Sequence, residues 1–289
     1  MQQTEYAEHV VKQYEEEYGV TLRLHDTPMP STARVDPRDC DTDPDAIVAN
    51  AGNAQRMRSV LGLCQFLHTR ADISFSLVEL SRVAANPTEQ HILWLEHLLG
   101  YLKRTKHLGL TFGGKRFLDS KLKHQITAFS DATWGSCLAT RKSMTCFTVM
   151  LNGATIFHKS KRQKIVATST AQSEYCALSS CVSFVRALLY VMHDLGFHQV
   201  AAAPVTTSVD NQAAIAIGND VMSSVRSRCF EIKHHFVKHA VHMQWVKLKF
   251  VESNQNPSDV GTKPLERYAF VRHVRFILGG KLNDRLEYV

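Results

Sequence analysis

Apolar residues recur at helical spacing across residues 2–18, where Tyr6, Val10, Val11, Tyr14 and Tyr18 share a face and Gly19 ends the run. Residues 26–53 are rich in proline and aspartate and have no apolar period, which predicts an extended, partly mobile connection. Helical periodicity resumes over residues 55–69, 73–84 and 88–103. Asn86-Pro87-Thr88 separates the last two of these helices and places a capping hydroxyl at Thr88. A short strand is expected over residues 107–112, and Gly113-Gly114 then opens a linker to about residue 123.

The pattern changes in the second half. Ile126, Ala128 and Phe129 predict a short buried strand running into Asp131 and broken at Gly135. Two apolar runs, 145–151 and 154–158, meet at Asn152-Gly153, the strongest short hairpin signal a sequence offers. A long helix over 170–195 buries Tyr175, Leu178, Val182, Val185, Leu188 and Leu189, and Gly196 stops it. A strand over 205–209, a helix from Asp210, a helix over 232–242, a strand over 245–251 and a helix over 265–278 complete the chain. This order predicts a mixed α/β domain with helices on both faces of its sheet.

At 289 residues the chain has room for two cores. No apolar run reaches the roughly 18 residues of a membrane span, and the acidic Glu15-Glu16-Glu17 stretch is unlike a signal peptide. Seven cysteines without a Cys-x-x-Cys pair point to reduced thiols in a cytoplasmic or nuclear setting. His234-His235 and His239-x-x-His242 read as helix-face histidines in preference to metal ligands. Charge is uneven. Residues 1–125 hold 15 Lys/Arg against 16 Asp/Glu, a net of −1, whereas residues 126–289 hold 19 against 11, a net of +8. A basic half that keeps few acids suggests a polyanionic partner.

Four of those acids stand where packing has little use for them. Asp131 and Asp210 end strands, Glu174 lies early in an apolar helix, and Asp259 follows Asn256-Pro257-Ser258 at the start of another helix. Small hard cations such as Mg²⁺ take oxygen ligands, and holding two requires carboxylates converging from different elements. Basic words lie nearby, Arg141-Lys142 after the first strand and Lys161-Arg162 after the third, and such clusters supply phosphate contacts.

The local words resemble the ribonuclease H domain of copia-type retrotransposon Pol polyproteins. Ser130-Asp131-Ala132-x-Trp134, Ser173-Glu174-Tyr175, Asp210-Asn211-Gln212-x-Ala214-Ile215 and Asp259-x-x-Thr262-Lys263-Pro264-Leu265 are similar to its four signatures. In the first half, Thr69-Arg70-Ala71-Asp72-Ile73, Asn86-Pro87-Thr88 and Tyr101-Leu102-Lys103-Arg104-Thr105-Lys106 resemble the thumb or connection that follows the polymerase site in those polyproteins. No Tyr-x-Asp-Asp word occurs, so the polymerase palm and fingers are expected to be absent from this chain.

The resemblance implies a helical thumb/connection segment over residues 1–115 and, over 124–280, a ribonuclease H-like mixed five-stranded sheet flanked by helices. It implies Mg²⁺-dependent endonucleolytic hydrolysis of the RNA strand of RNA–DNA hybrids, with two ions (Mn²⁺ as the alternative). Asp131 would bridge both ions, Glu174 and Asp210 would hold one, and Asp259 the other. Arg141, Lys142, Lys161, Arg162, Ser169, Asn211 and Gln212 would contact the hybrid. The expected partners are RNA–DNA hybrid and the rest of a Pol polyprotein, with no membrane, and the expected setting is the cytoplasm or nucleus, or a virus-like particle.

Several positions depart from the family pattern. Thr133 replaces a second Asp, Gln172 stands in a Thr-Glu-Ala-Glu-Tyr-like word, His158 replaces a Trp, and Cys229 occupies the place of a loop histidine. His235 is the nearest histidine by sequence. A degenerate copy that binds nucleic acid without cutting it is therefore the rival expectation. A DNA-cleaving integrase relative is disfavoured by the missing His/Cys zinc module and by Thr262-Lys263-Pro264-Leu265.

Overall fold

The computed structural model describes residues 1–113, 125–200, 202–219 and 231–287, with the side chains of 231–234 excepted. Cys229 and most of the linker before the first strand lie outside these residues.

Helix α1 (Thr4–Tyr18) buries Ala7, Val10, Val11 and Tyr14 and ends where Gly19 turns left-handed at φ 62° and donates its N–H to Glu15. Glycine adopts that backbone at no steric cost. The stretch expected to be mobile is instead tied down. Met29, Ala33 and Val35 are buried, the Val35 carbonyl accepts from Arg82 at 2.9 Å, and Ser31 donates to Glu266 at 2.6 Å. Its apolar residues are too scattered to show a period, yet each finds a place in the core. A short helix α2 (Pro44–Ala49) follows, started by the Asp43 side chain and Pro44.

Helices α3 (Ala51–Gln65), α4 (Ser74–Ser81) and α5 (Glu89–Arg104) match the expected periodicity, and Thr88 caps α5 with His91 returning the bond. A buried brace joins α5 to the Ala71–Ile73 turn. Arg70 forks onto the Asp72 carboxylate at 2.8–3.2 Å and donates to the Thr105 carbonyl and hydroxyl at 2.9 and 2.7 Å. Tyr101 donates to the same carboxylate at 2.5 Å. The first-half words at 69–73 and 101–106 thus encode one bonded unit.

Residues 107–112 do not form the expected strand. Gly109 makes one isolated bridge with Gln2, and Thr111 donates to Leu278 at 2.8 Å, so this segment pairs with separate neighbours and no ladder develops.

The second half is a five-stranded mixed sheet in the order β3-β2-β1-β4-β5. Strands β1 (Ile126–Thr133), β2 (Met144–Leu151) and β3 (Ala154–Arg162) run antiparallel, whereas β4 (Val205–Val209) is parallel to β1 and β5 (Val246–Phe250) is parallel to β4. The β2–β3 turn has Asn152 at φ 50° and Gly153 at φ 80°, as the Asn-Gly signal demands. This order and mixture of directions is the ribonuclease H-like architecture.

Helix α6 (Thr170–Asp194) covers one face with Tyr175, Leu178, Val182 and Val185 buried. By length and composition it could cross a membrane, but eleven of its residues are buried, many of them against the sheet. Helices α7 (Gln212–Gly218) and α8 (Glu231–His242) complete that side.

The last helix, α9 (Arg267–Leu278), lies on the other side. Its Phe270, Val271, Val274 and Ile277 join one hydrophobic cluster with Val10, Leu61, Leu95 and Tyr101 of the first half. Phe270 meets the Tyr101 ring at 5.6 Å, and Phe276 meets Phe129 of β1 at 5.5 Å. The two halves of the chain therefore share a core through α9.

Candidate active site

Three carboxylates converge where β1, α6 and β4 approach one another. Asp131, Glu174 and Asp210 each bring a carboxylate oxygen within 4.8 Å of the others. Asp131 is set by the pleat of β1, Glu174 lies in the first turns of α6, and Asp210 stands just past β4. Parallel pairing of β1 with β4 brings the two aspartates level, since Ser130 registers with Val209.

Asp259 completes the group from a 3₁₀ turn, Pro257–Gly261, and not from the start of a helix as its neighbours suggested. This turn is bolted to β1. Asn256 donates to the Ser130 carbonyl at 2.9 Å and Ser258 to the Phe129 carbonyl at 3.1 Å. Gly261 is needed there, because a Cβ would sit 2.5 Å from the Cys146 sulfur. The next two residues reach into the site: Thr262 donates to Asp131 Oδ2, and Lys263 pairs with Asp259 at 2.9 Å. Sequence position alone marks neither role, although both residues belong to the Thr262-Lys263-Pro264-Leu265 word.

The electrostatics of the cluster suit a bound cation. Burial raises the Asp131 pKa to about 8, the Asp259 charge adds to this, and the Thr262 hydrogen bond partly offsets it. Burial also raises Glu174, reinforced by the charges of Asp131 and Asp210. Asp259 is raised by burial against the opposing pull of Lys263. Two buried oxygens, Glu174 Oε2 and Asp259 Oδ1, have no hydrogen-bond partner. Buried polar atoms are rarely left so, and an all-oxygen donor set of this kind suits a hard divalent cation.

The remaining candidates are spread around this centre. Ser169 caps α6 and Asn211 caps α7, so their hydroxyl and amide oxygens are each bonded to a helix N–H, and Gln212 is exposed beside Asn211. Arg141 is exposed at φ 53°, Lys142 is half-buried and Lys161 is exposed on β3. Arg162 points to the opposite side of β3, where it pairs with Glu79 of α4, a carboxylate also held by Arg82 at 2.5 Å. His158 has a structural place: it bonds Ser74 of α4 at 2.7 Å and Thr148 at 2.9 Å, tying β3 to the first half. Gln172 accepts from the Thr168 hydroxyl at 2.9 Å and closes the turn into α6. His235 lies on α8 and lines a hollow with Gly218 and His239.

Raised carboxyl groups make stability fall as pH rises. A group whose folded pKa exceeds its unfolded value, near 4 for these acids, stabilises the fold fully below that value and loses this as pH passes the folded pKa. Burial pushes His97, His158 and His273 down to about 4, which raises stability with pH, but that contribution is complete by neutrality. Between pH 7 and 9 the carboxylates should dominate. We expect the melting temperature without metal to fall across this interval and saturating divalent cation to remove most of the fall. A melting temperature indifferent to cation at pH 9 would contradict the site.

No family model matches the chain. The Retrovirus-related Pol polyprotein from transposon TNT 1-94 of Nicotiana tabacum is 30% identical over 202 residues, covering 70% of this chain and 14% of that polyprotein. That from transposon RE1 of Arabidopsis thaliana is 29% identical over 214 residues, covering 74% and 14%. The chain thus spans about 14% of the length of either relative. Among solved structures, an LC11 ribonuclease H1 in complex with RNA/DNA hybrid aligns with 47% of this chain and 93% of its own, at 14% identity and TM-score 0.35.

Proposed function

This chain belongs to the copia-type retrovirus-related Pol polyproteins, and from that premise we propose that it hydrolyses the RNA strand of RNA–DNA hybrids endonucleolytically. The observation that carries the reading is the convergence of Asp131, Glu174 and Asp210 with Asp259 beside them, two buried oxygens of the group being unpartnered. These four carboxylates would hold two Mg²⁺ ions, with Mn²⁺ as a substitute. Ions bound there would lower the pKa of water and stabilise the leaving oxygen's charge.

The chain's own residues supply the rest. Thr262 fixes the Asp131 carboxylate through its hydroxyl, and Lys263 holds Asp259 while offsetting the negative charge of the cluster. Gln212, exposed beside Asp210, is placed to bond a ribose 2′-hydroxyl, the group that distinguishes RNA from DNA. Arg141, Lys142 and Lys161 offer phosphate contacts that position the duplex without reading its sequence. Residues 1–115 act as a thumb/connection-like segment, and α9 fixes them to the nuclease half.

The test is incubation of the full chain with an end-labelled hybrid and Mg²⁺. Internal cuts in the RNA strand, lost with chelator and absent on duplex DNA, are the expected result. Hybrid binding without cleavage in either Mg²⁺ or Mn²⁺ would replace this reading with that of a binding remnant.

A further inference from the structure

The segment 29–35, expected to be a mobile connection, forms one wall of a cleft of about 320 Å³ next to the carboxylate cluster. Met29 and Arg34 line it from the first half, Thr133 and Leu138 from the end of β1 and the following turn, and Thr262 and Lys263 from the site itself. The wall is built and held in place, since Val35 is bonded to Arg82 and Ser31 to Glu266.

The charges in this cleft do not balance internally. Glu79 is its one lining acid and is already shared by Arg82 and Arg162. Lys263 is committed to Asp259. Arg34 is exposed, and among the described residues no carboxylate pairs with it. An unpaired guanidinium in a cleft also lined by Met29, Phe75 and Leu138, and by Thr262 and Lys263 that bond Asp131 and Asp259, suits a phosphate with its sugar and base.

We propose that this cleft seats the nucleic-acid strand beside the phosphodiester being cut, with Arg34 as a phosphate contact from the first half of the chain. The proposal rests on the nucleic-acid reading given above and deepens it: substrate binding belongs to both halves. Arg34 positions the substrate and does not touch the reacting atoms. Its loss should therefore alter affinity and KM and leave kcat nearly unchanged.

The experiment compares wild type, Arg34→Gln, Arg34→Lys and, as a control for lost charge, Lys12→Gln on the exposed face of α1, where Lys12 pairs with Glu8 outside the cleft lining. Hybrid affinity is measured over a salt series, and steady-state cleavage with Mg²⁺. Arg34→Gln should weaken binding several-fold and flatten the log–log salt slope by about one unit, the signature of one phosphate contact. Arg34→Lys should keep the slope and recover part of the affinity, and Lys12→Gln should behave as wild type. Arg34→Gln with wild-type affinity and slope overturns the proposal. If the wild type binds hybrid but never cuts it, the hydrolase reading fails while the affinity and slope still decide the role of Arg34.

Discussion

Asp131→Asn should abolish hybrid cleavage and at the same time stabilise the metal-free protein at pH 8. The two effects share one cause. Asp131 is the most buried member of the cluster and faces the charges of Asp259 and Asp210 without a compensating cation on its own element. Removing its charge relieves that repulsion. One pKa unit corresponds to about 1.4 kcal/mol, and the displacement spans several units. After allowing for a weaker bond from Thr262, the gain should be on the order of 1–3 kcal/mol. A carboxylate that would hold the cations is lost in the same step, so turnover should drop below detection while hybrid affinity persists. Thermal melting and cleavage assays on one preparation check both arms. A variant that melts lower and still cuts would show that Asp131 is a structural acid.

Breaking the Arg70–Asp72 pair should have the largest effect on stability. Arg70, Asp72, Tyr101 and Thr105 are all almost completely buried and bonded to one another. Taking away one partner leaves the other charged in a dry environment, which typically costs 3–5 kcal/mol. Arg70→Met and Asp72→Leu should each approach that cost. The Arg70→Met/Asp72→Leu double variant should recover a substantial part of it, because no charge then remains unpaired. Denaturant unfolding of the four proteins measures the coupling. Additive losses would mean that the pair acts only through the packing of its side chains.

Much of this was legible in the sequence, and the failures have physical reasons. Long elements with a clean period were read within a few residues, as at α5 with its Thr88 cap and at the Asn152-Gly153 hairpin. The connection expected to be mobile over 26–53 is held down because Met29, Ala33 and Val35 follow no period and gain their burial from helices distant in sequence. The strand expected over 107–112 failed for the complementary reason: its local pattern was suitable, but among the described residues it pairs only through the isolated Gln2–Gly109 bridge. At the site, the odd contexts of four acids pointed to their meeting. The sequence could not say that Thr262 serves Asp131 or that Arg162 turns toward Glu79. Those facts depend on which face of β3 and which side of the 3₁₀ turn each residue occupies.

The position of α9 has a consequence for how the protein is made. During synthesis, α1, α3 and α5 leave the ribosome long before the helix that completes their core, and Leu95 and Tyr101 must wait for Phe270 and Ile277, encoded some 175 residues later. Closing so long a loop is slow, and until then an apolar face stays uncovered and prone to association. Asp259, Thr262 and Lys263 arrive on the same late stretch, immediately before α9. The carboxylate cluster therefore gains its fourth member, and the first-half helices their cover, from one continuous stretch, 257–278, so both are completed together.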